Sequence, residues 1–172
     1  MKLKSKLIIS ILFIVWNVSA QKSIFDIARS GSVDELNRAF QNNKSSIDSK
    51  NESGYTPLIL ACYKRNNSVA KMLIEKGCDI NYVSEMGSAL MACSVNGNNE
   101  IALFLLKNNC NVNLTDSNGT TALMYAVQFR NIELVKALLA ASADKSKIDK
   151  KGKTAFEYAV FSGNNEITNL LK

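Results

Sequence analysis

Thr56-Pro57-Leu58-Ile59-Leu60-Ala61 and Thr121-Ala122-Leu123-Met124-Tyr125-Ala126 are two copies of one short pattern. A threonine opens each copy and an alanine closes it. The closing position recurs at Ala28, Ala61, Cys93, Ala126 and Ala159, in steps of 33, 32, 33 and 33 residues. A period of about 33 residues marks a solenoid, whose repeats bury their apolar faces only against their neighbours. The pattern predicts an all-α array of about five helix-turn-helix units, roughly 21–50, 51–83, 84–115, 116–148 and 149–172.

Aligning the copies shows why each unit should fold this way. Ser23, Thr56, Ser88, Thr121 and Thr154 fall in one column. A hydroxyl there can accept from the free N–H groups at a helix start. Pro57 follows Thr56 at the first helical position, where its missing N–H costs nothing. The first helix should end near Gly31, Asn66, Gly97, Arg130 and Gly163. A second helix follows, with apolar columns Val69/Ile101/Leu134/Ile167 and Leu73/Leu105/Leu138/Leu171 at helical spacing. Gly54, Gly87, Gly119 and Gly152 then sit in the turn before the next cap, where positive φ is expected. Ten short helices and no sheet are predicted.

Three departures stand out. Gly87-Ser88 replaces Gly54-Tyr55-Thr56, so the third finger is one residue short. The first unit should have a shorter inter-helix turn and a longer polar exit through residues 42–46. In the last unit Asn165 replaces Ile132 and Lys172 falls in the Leu139 column. Polar residues on an outer face are what a terminal unit needs, so the array is expected to carry both caps.

Ahead of the array, Lys2, Lys4 and Lys6 precede an apolar stretch from Leu7 to Trp16, and Val18-Ser19-Ala20 ends it with small residues. That order describes a secretory signal peptide over residues 1–20. A membrane anchor is the rival reading, but ten apolar residues at ~1.5 Å each reach only about half a bilayer core. Export to the periplasm or medium, with no stable membrane insertion after cleavage, is expected. Without the three leader lysines, 18 basic residues face 15 acidic ones. No long Lys/Arg run exists, so a nucleic-acid stripe is not expected.

The chemistry-bearing residues point away from catalysis. The chain has no His, which excludes Ser–His and Cys–His pairs. No glycine-rich phosphate cradle, metal-ligand spacing or cofactor motif is visible, and no catalytic, metal or cofactor residue is assigned. Cys62, Cys78, Cys93 and Cys110 sit where small core residues belong. Equivalent positions in stacked helices lie ~8–10 Å apart, beyond the ~7 Å Cα limit of a disulfide. Cys62 and Cys93, offset by one residue, should face a similar gap. Four buried free thiols are expected.

Helix, tight turn, antiparallel helix and extended finger resemble the ankyrin repeat over about residues 22–172. Thr56-Pro57-Leu58 with Ala61 matches the family's T-P-L-H-x-A pattern, and Gly77 to Asn81 matches its closing turn. No unit keeps the family's His; Ile59, Met91, Met124 and Glu157 stand there. The resemblance implies a concave face, built by first helices and fingers, that binds another protein. Tyr55, Tyr63, Met86, Val95, Phe129 and Phe161 are the candidate contacts, because aromatic residues and Met are enriched at interface centres. Ile59, Met91 and Met124 are expected either to join them or to pack between units. The chain is expected to be a monomeric, exported, bacterial adaptor. An inhibitor or immunity-type protein and a leader-anchored envelope protein are the alternatives.

Overall fold

The computed structural model describes residues 22–42 and 47–172. The leader and the polar exit of the first unit lie outside the described residues, apart from the backbone of residue 42. Ten helices pair into five hairpins among the described residues. They are α1 (Ile24–Ser30) with α2 (Val33–Asn42), α3 (Pro57–Lys64) with α4 (Asn67–Glu75), and α5 (Ala89–Asn96) with α6 (Asn99–Lys107). The last two pairs are α7 (Ala122–Gln128) with α8 (Ile132–Ala140), and α9 (Ala155–Ser162) with α10 (Asn165–Leu171).

Every inner helix starts as its hydroxyl column predicts. Ser23, Thr56, Ser88, Thr121 and Thr154 each accept the backbone N–H three residues on. The lost His is replaced differently from unit to unit. In unit five the Glu157 carboxylate accepts from Thr154 N–H at 2.6 Å. In units three and four the sulfurs of Met91 and Met124 take that place, at 3.4 and 3.5 Å. Met91 and Met124 are buried and pack between units, whereas Ile59, though buried, also lines the concave side.

The core is one column of buried side chains running the length of the stack. Ala28, Ala61, Cys93, Ala126 and Ala159 are fully buried where successive inner helices approach. Leu73, Leu105 and Leu138 fill the space under the outer helices. All four cysteines are free and buried. This agrees with the expectation of four buried, unpaired thiols.

Asparagines tie the units edge to edge. Asn66 Nδ2 donates to the carbonyls of Ile27, Ala28 and Gly31, closing the end of α1. Asn96 does the same for Cys62 and Tyr63 at the end of α3. In the closing turns, Asn81 accepts from Asn111 N–H and Asn113 from Asp144 N–H, at 2.7 and 2.8 Å. These bonds give the carbonyls at the helix ends and the amides of the closing turns partners in the neighbouring unit.

Two expectations need correction. The first unit's turn has two residues, like those of units two, three and five; the missing residue comes out of α1, which is seven residues long. Gly31 is accordingly extended at φ −87°, whereas Gly97 closes α5 in the left-handed region at φ 68°. The shortened third finger is not pure turn. It closes as a two-residue antiparallel ladder, β1 (Val83–Ser84) with β2 (Gly87–Ser88), and Ser84 Oγ donates to the Gly87 carbonyl at 2.9 Å. One residue fewer leaves no room for the wider turn of the other fingers.

Candidate protein-binding surface

The fingers of units four and five share a device that holds the concave face in shape. Asp116 Oδ1 accepts from the N–H groups of Asn118 and Thr120, and its Oδ2 accepts from the Tyr125 hydroxyl at 2.6 Å. Asp149 repeats this with Lys151 N–H, Lys153 N–H and the Tyr158 hydroxyl at 2.5 Å. Burial raises the Asp149 carboxyl, but the Tyr158 hydroxyl and the two amides outweigh it and hold the group below the usual carboxylate range. Both phenols move the other way. Burial and the Asp116 carboxylate push Tyr125 up to about 12, and the Asp149 carboxylate with burial pushes Tyr158 up to about 12.

A pH dependence follows. A phenol whose pKa is raised on folding stabilises the fold fully below its unfolded value of about 10 and loses that contribution as pH climbs through about 12. Asp149 acts at the opposite end: its lowered carboxyl adds stability above the usual carboxylate range and loses it as pH falls below. Urea melts between pH 9 and 12 should therefore show falling stability. The double variant Tyr125→Phe/Tyr158→Phe should show a shallower fall; an equal slope would mean the two hydroxyls do not couple folding to pH.

On the concave side a depression of about 460 Å³ opens across units two, three and four. Tyr55, Tyr63, Met86, Val95 and Phe129 line it, so five of the six expected contacts are brought together. Tyr63 is 56% exposed, Phe129 55% and Met86 71%, so the rim is apolar and open. Phe161 is not part of the depression. It stands 86% exposed on the last inner helix, with Lys153 Nζ 4.9 Å from its ring centre.

The depression exists because of Ala92, a residue the sequence reading passed over. The column just before the alanine column reads Ile27, Leu60, Ala92, Tyr125 and Tyr158. Only the third unit is small there, and Ala92 lies between Leu60 and Tyr125 on the floor. The same unit has the short finger that carries Met86 to the edge. One missing side chain and one missing finger residue thus coincide in the central unit. Comparing that column across the five copies was the signal available in the sequence.

A second hollow of about 270 Å³ continues the groove into unit five. It shares Tyr125 and Gln128 with the first and adds Asn118, Thr120, Asp149, Lys150, Lys151 and Tyr158. Among the described residues, no cluster of His, Cys, Asp or Glu could hold a metal, and no helix is long and apolar enough to cross a membrane.

Known proteins resemble this chain in its repeats. A family profile described as ankyrin repeats (3 copies) matches residues 24–116 and again 90–172. A mitochondrial disaggregase from Bos taurus is 27% identical over 158 residues, which is 90% of this chain and 23% of that protein. The NAD-capped RNA hydrolase NUDT12 from Homo sapiens is 45% identical over 57 residues, 33% of this chain and 12% of the relative. The palmitoyltransferase akr1 from Aspergillus oryzae is 37% identical over 60 residues, 35% of this chain and 8% of its own. The chain spans less than a quarter of the length of each of these relatives.

Proposed function

The chain belongs to the ankyrin-repeat family, and from that premise we propose that it is an exported, monomeric scaffold that holds another protein in its concave groove. An ankyrin array is a protein-interaction scaffold, and the relatives' enzymatic names belong to proteins of which it matches only a small part. The observation that carries the reading is the open apolar depression framed by Tyr63, Met86 and Phe129. Large apolar side chains gathered around a concavity are the usual anchor of an interface, and scattered single ones are not.

The test is affinity capture with the purified protein, followed by titration of what is captured. Tyr63→Ala and Phe129→Ala should each weaken the complex at least tenfold, because truncating a central aromatic anchor costs about 2 kcal/mol or more. Both rings are more than half exposed, so stability should change by no more than about 0.5 kcal/mol. Normal binding with lost stability would make them core residues and remove the reading.

The exported part of the proposal rests on Lys2, Lys4 and Lys6, the Leu7 to Trp16 stretch and Val18-Ser19-Ala20. The exported protein is expected to begin at Gln21 on N-terminal sequencing. A mature chain that begins at Met1 and stays with membranes would favour the leader-anchored alternative instead.

A further inference from the structure

The groove changes character along its length, and the change says what kind of segment fits it. The depression over units two to four has one charged lining residue, Lys64, whose Nζ lies 5.6 Å from the Tyr63 ring centre. One unit further on, the lining becomes cationic. Lys150 and Lys151 face the second hollow, and Lys153 stands beside it over Tyr158 and Phe161. None of these four lysines is within 4 Å of an acidic side chain: the ion pairs among the described residues are Lys22–Glu35, Arg29–Asp26, Lys71–Glu100 and Lys136–Glu166. The acids nearest to them are already engaged. Asp149 is taken up by Tyr158 and two backbone amides, and Glu157 by the Thr154 amide and hydroxyl. Asp149 and Glu157 offset part of this charge through Lys151 and Lys153, but three lysines face two carboxylates, which leaves an excess of positive charge at this end of the groove.

We infer that the groove takes an extended acidic peptide segment: one large apolar side chain enters the depression floored by Ala92, and carboxylates of the same segment meet Lys150, Lys151 and Lys153. This rests on the protein-binding reading above and adds the chemistry of the partner. The spacing follows from the array. Neighbouring inner helices lie ~8–10 Å apart and an extended chain advances ~3.3 Å per residue. The lysines are two units from Ala92, so the carboxylates should lie about five to six residues from the anchor. Nucleic acid fits less well, because a single strand needs cationic groups along its whole track, and here they crowd one end.

A random dodecapeptide library displayed on phage is selected against the purified protein, and the enriched peptides are synthesised with a fluorescent label. The expected winners carry an aromatic or large aliphatic residue with two or more Asp or Glu about five to six residues away. Their affinity should fall about tenfold or more in the double variant Lys150→Glu/Lys151→Glu, and also on raising NaCl from about 50 to about 500 mM. Ala92→Tyr should remove binding, with circular dichroism unchanged in all variants. Acid-free apolar peptides that respond to Ala92→Tyr but ignore the lysine changes would overturn this inference and leave the protein-binding reading standing. No enrichment, or peptides indifferent to Ala92→Tyr, Tyr63→Ala and the lysine changes alike, would overturn both. A labelled single-stranded oligonucleotide that displaces the peptides, or self-association abolished by Ala92→Tyr, would replace the acidic peptide with a different occupant.

Discussion

Ala92→Tyr is expected to weaken any partner seated in the groove by about a hundredfold while leaving the fold intact, since losing an anchor worth ~2–4 kcal/mol corresponds to that factor. The substitution imports what the two following units already carry, Tyr125 and Tyr158, in the same column. The neighbouring backbone therefore accommodates a phenol ring there, and the added volume falls in the depression and not in the core. Isothermal titration of the captured partner against wild type and variant measures the loss. A thermal melt shows whether the fold has changed; a melting temperature within a few degrees of wild type is expected. Undiminished affinity would place the anchor elsewhere on the surface, with the exposed Phe161 and Ile148 next in line.

The largest effect on stability is expected from Leu105→Ala. Leu105 is fully buried in α6, the outer helix of the central unit, which packs between α4 and α8. Removing a buried leucine costs about 2–5 kcal/mol through lost transfer energy and the cavity left behind. That is a large share of the ~5–15 kcal/mol that holds a typical domain together. The position adds a second consequence. Each unit touches only its neighbours, so a weak central unit uncouples the two ends of the stack. Urea unfolding should change from one transition to two, with the segment after the central unit melting separately from the one before it. A single, unshifted transition would mean that the column between the outer helices contributes little.

The same locality explains what could be read from the chain before any coordinates. Residues in contact are near in sequence or one period apart, so the alanine column, the hydroxyl caps and the leucine columns announce the helices and their stacking directly. Aromatic residues just after the alanine column announce the concave face, because the end of each inner helix must point there. The Asp–Tyr pairs of units four and five were less visible. Their members are nine residues apart and meet only once finger and helix have folded against each other.

The number of units, the helix starts, the buried alanine and leucine columns and the direction of the concave face were all determined by the sequence itself, since a repeat imposes each of them locally and many times over. The tertiary structure alone decided that asparagines close the ends of neighbouring helices and that the third finger zips into a ladder. It also decided that Tyr63, Met86 and Phe129, from three different units, surround one hollow while Phe161 stands apart. Periodicity describes what the units have in common. A binding site is made where they differ, and how the differences of three neighbouring units combine depends on the stacking distance and the paths of their side chains, which no single repeat encodes.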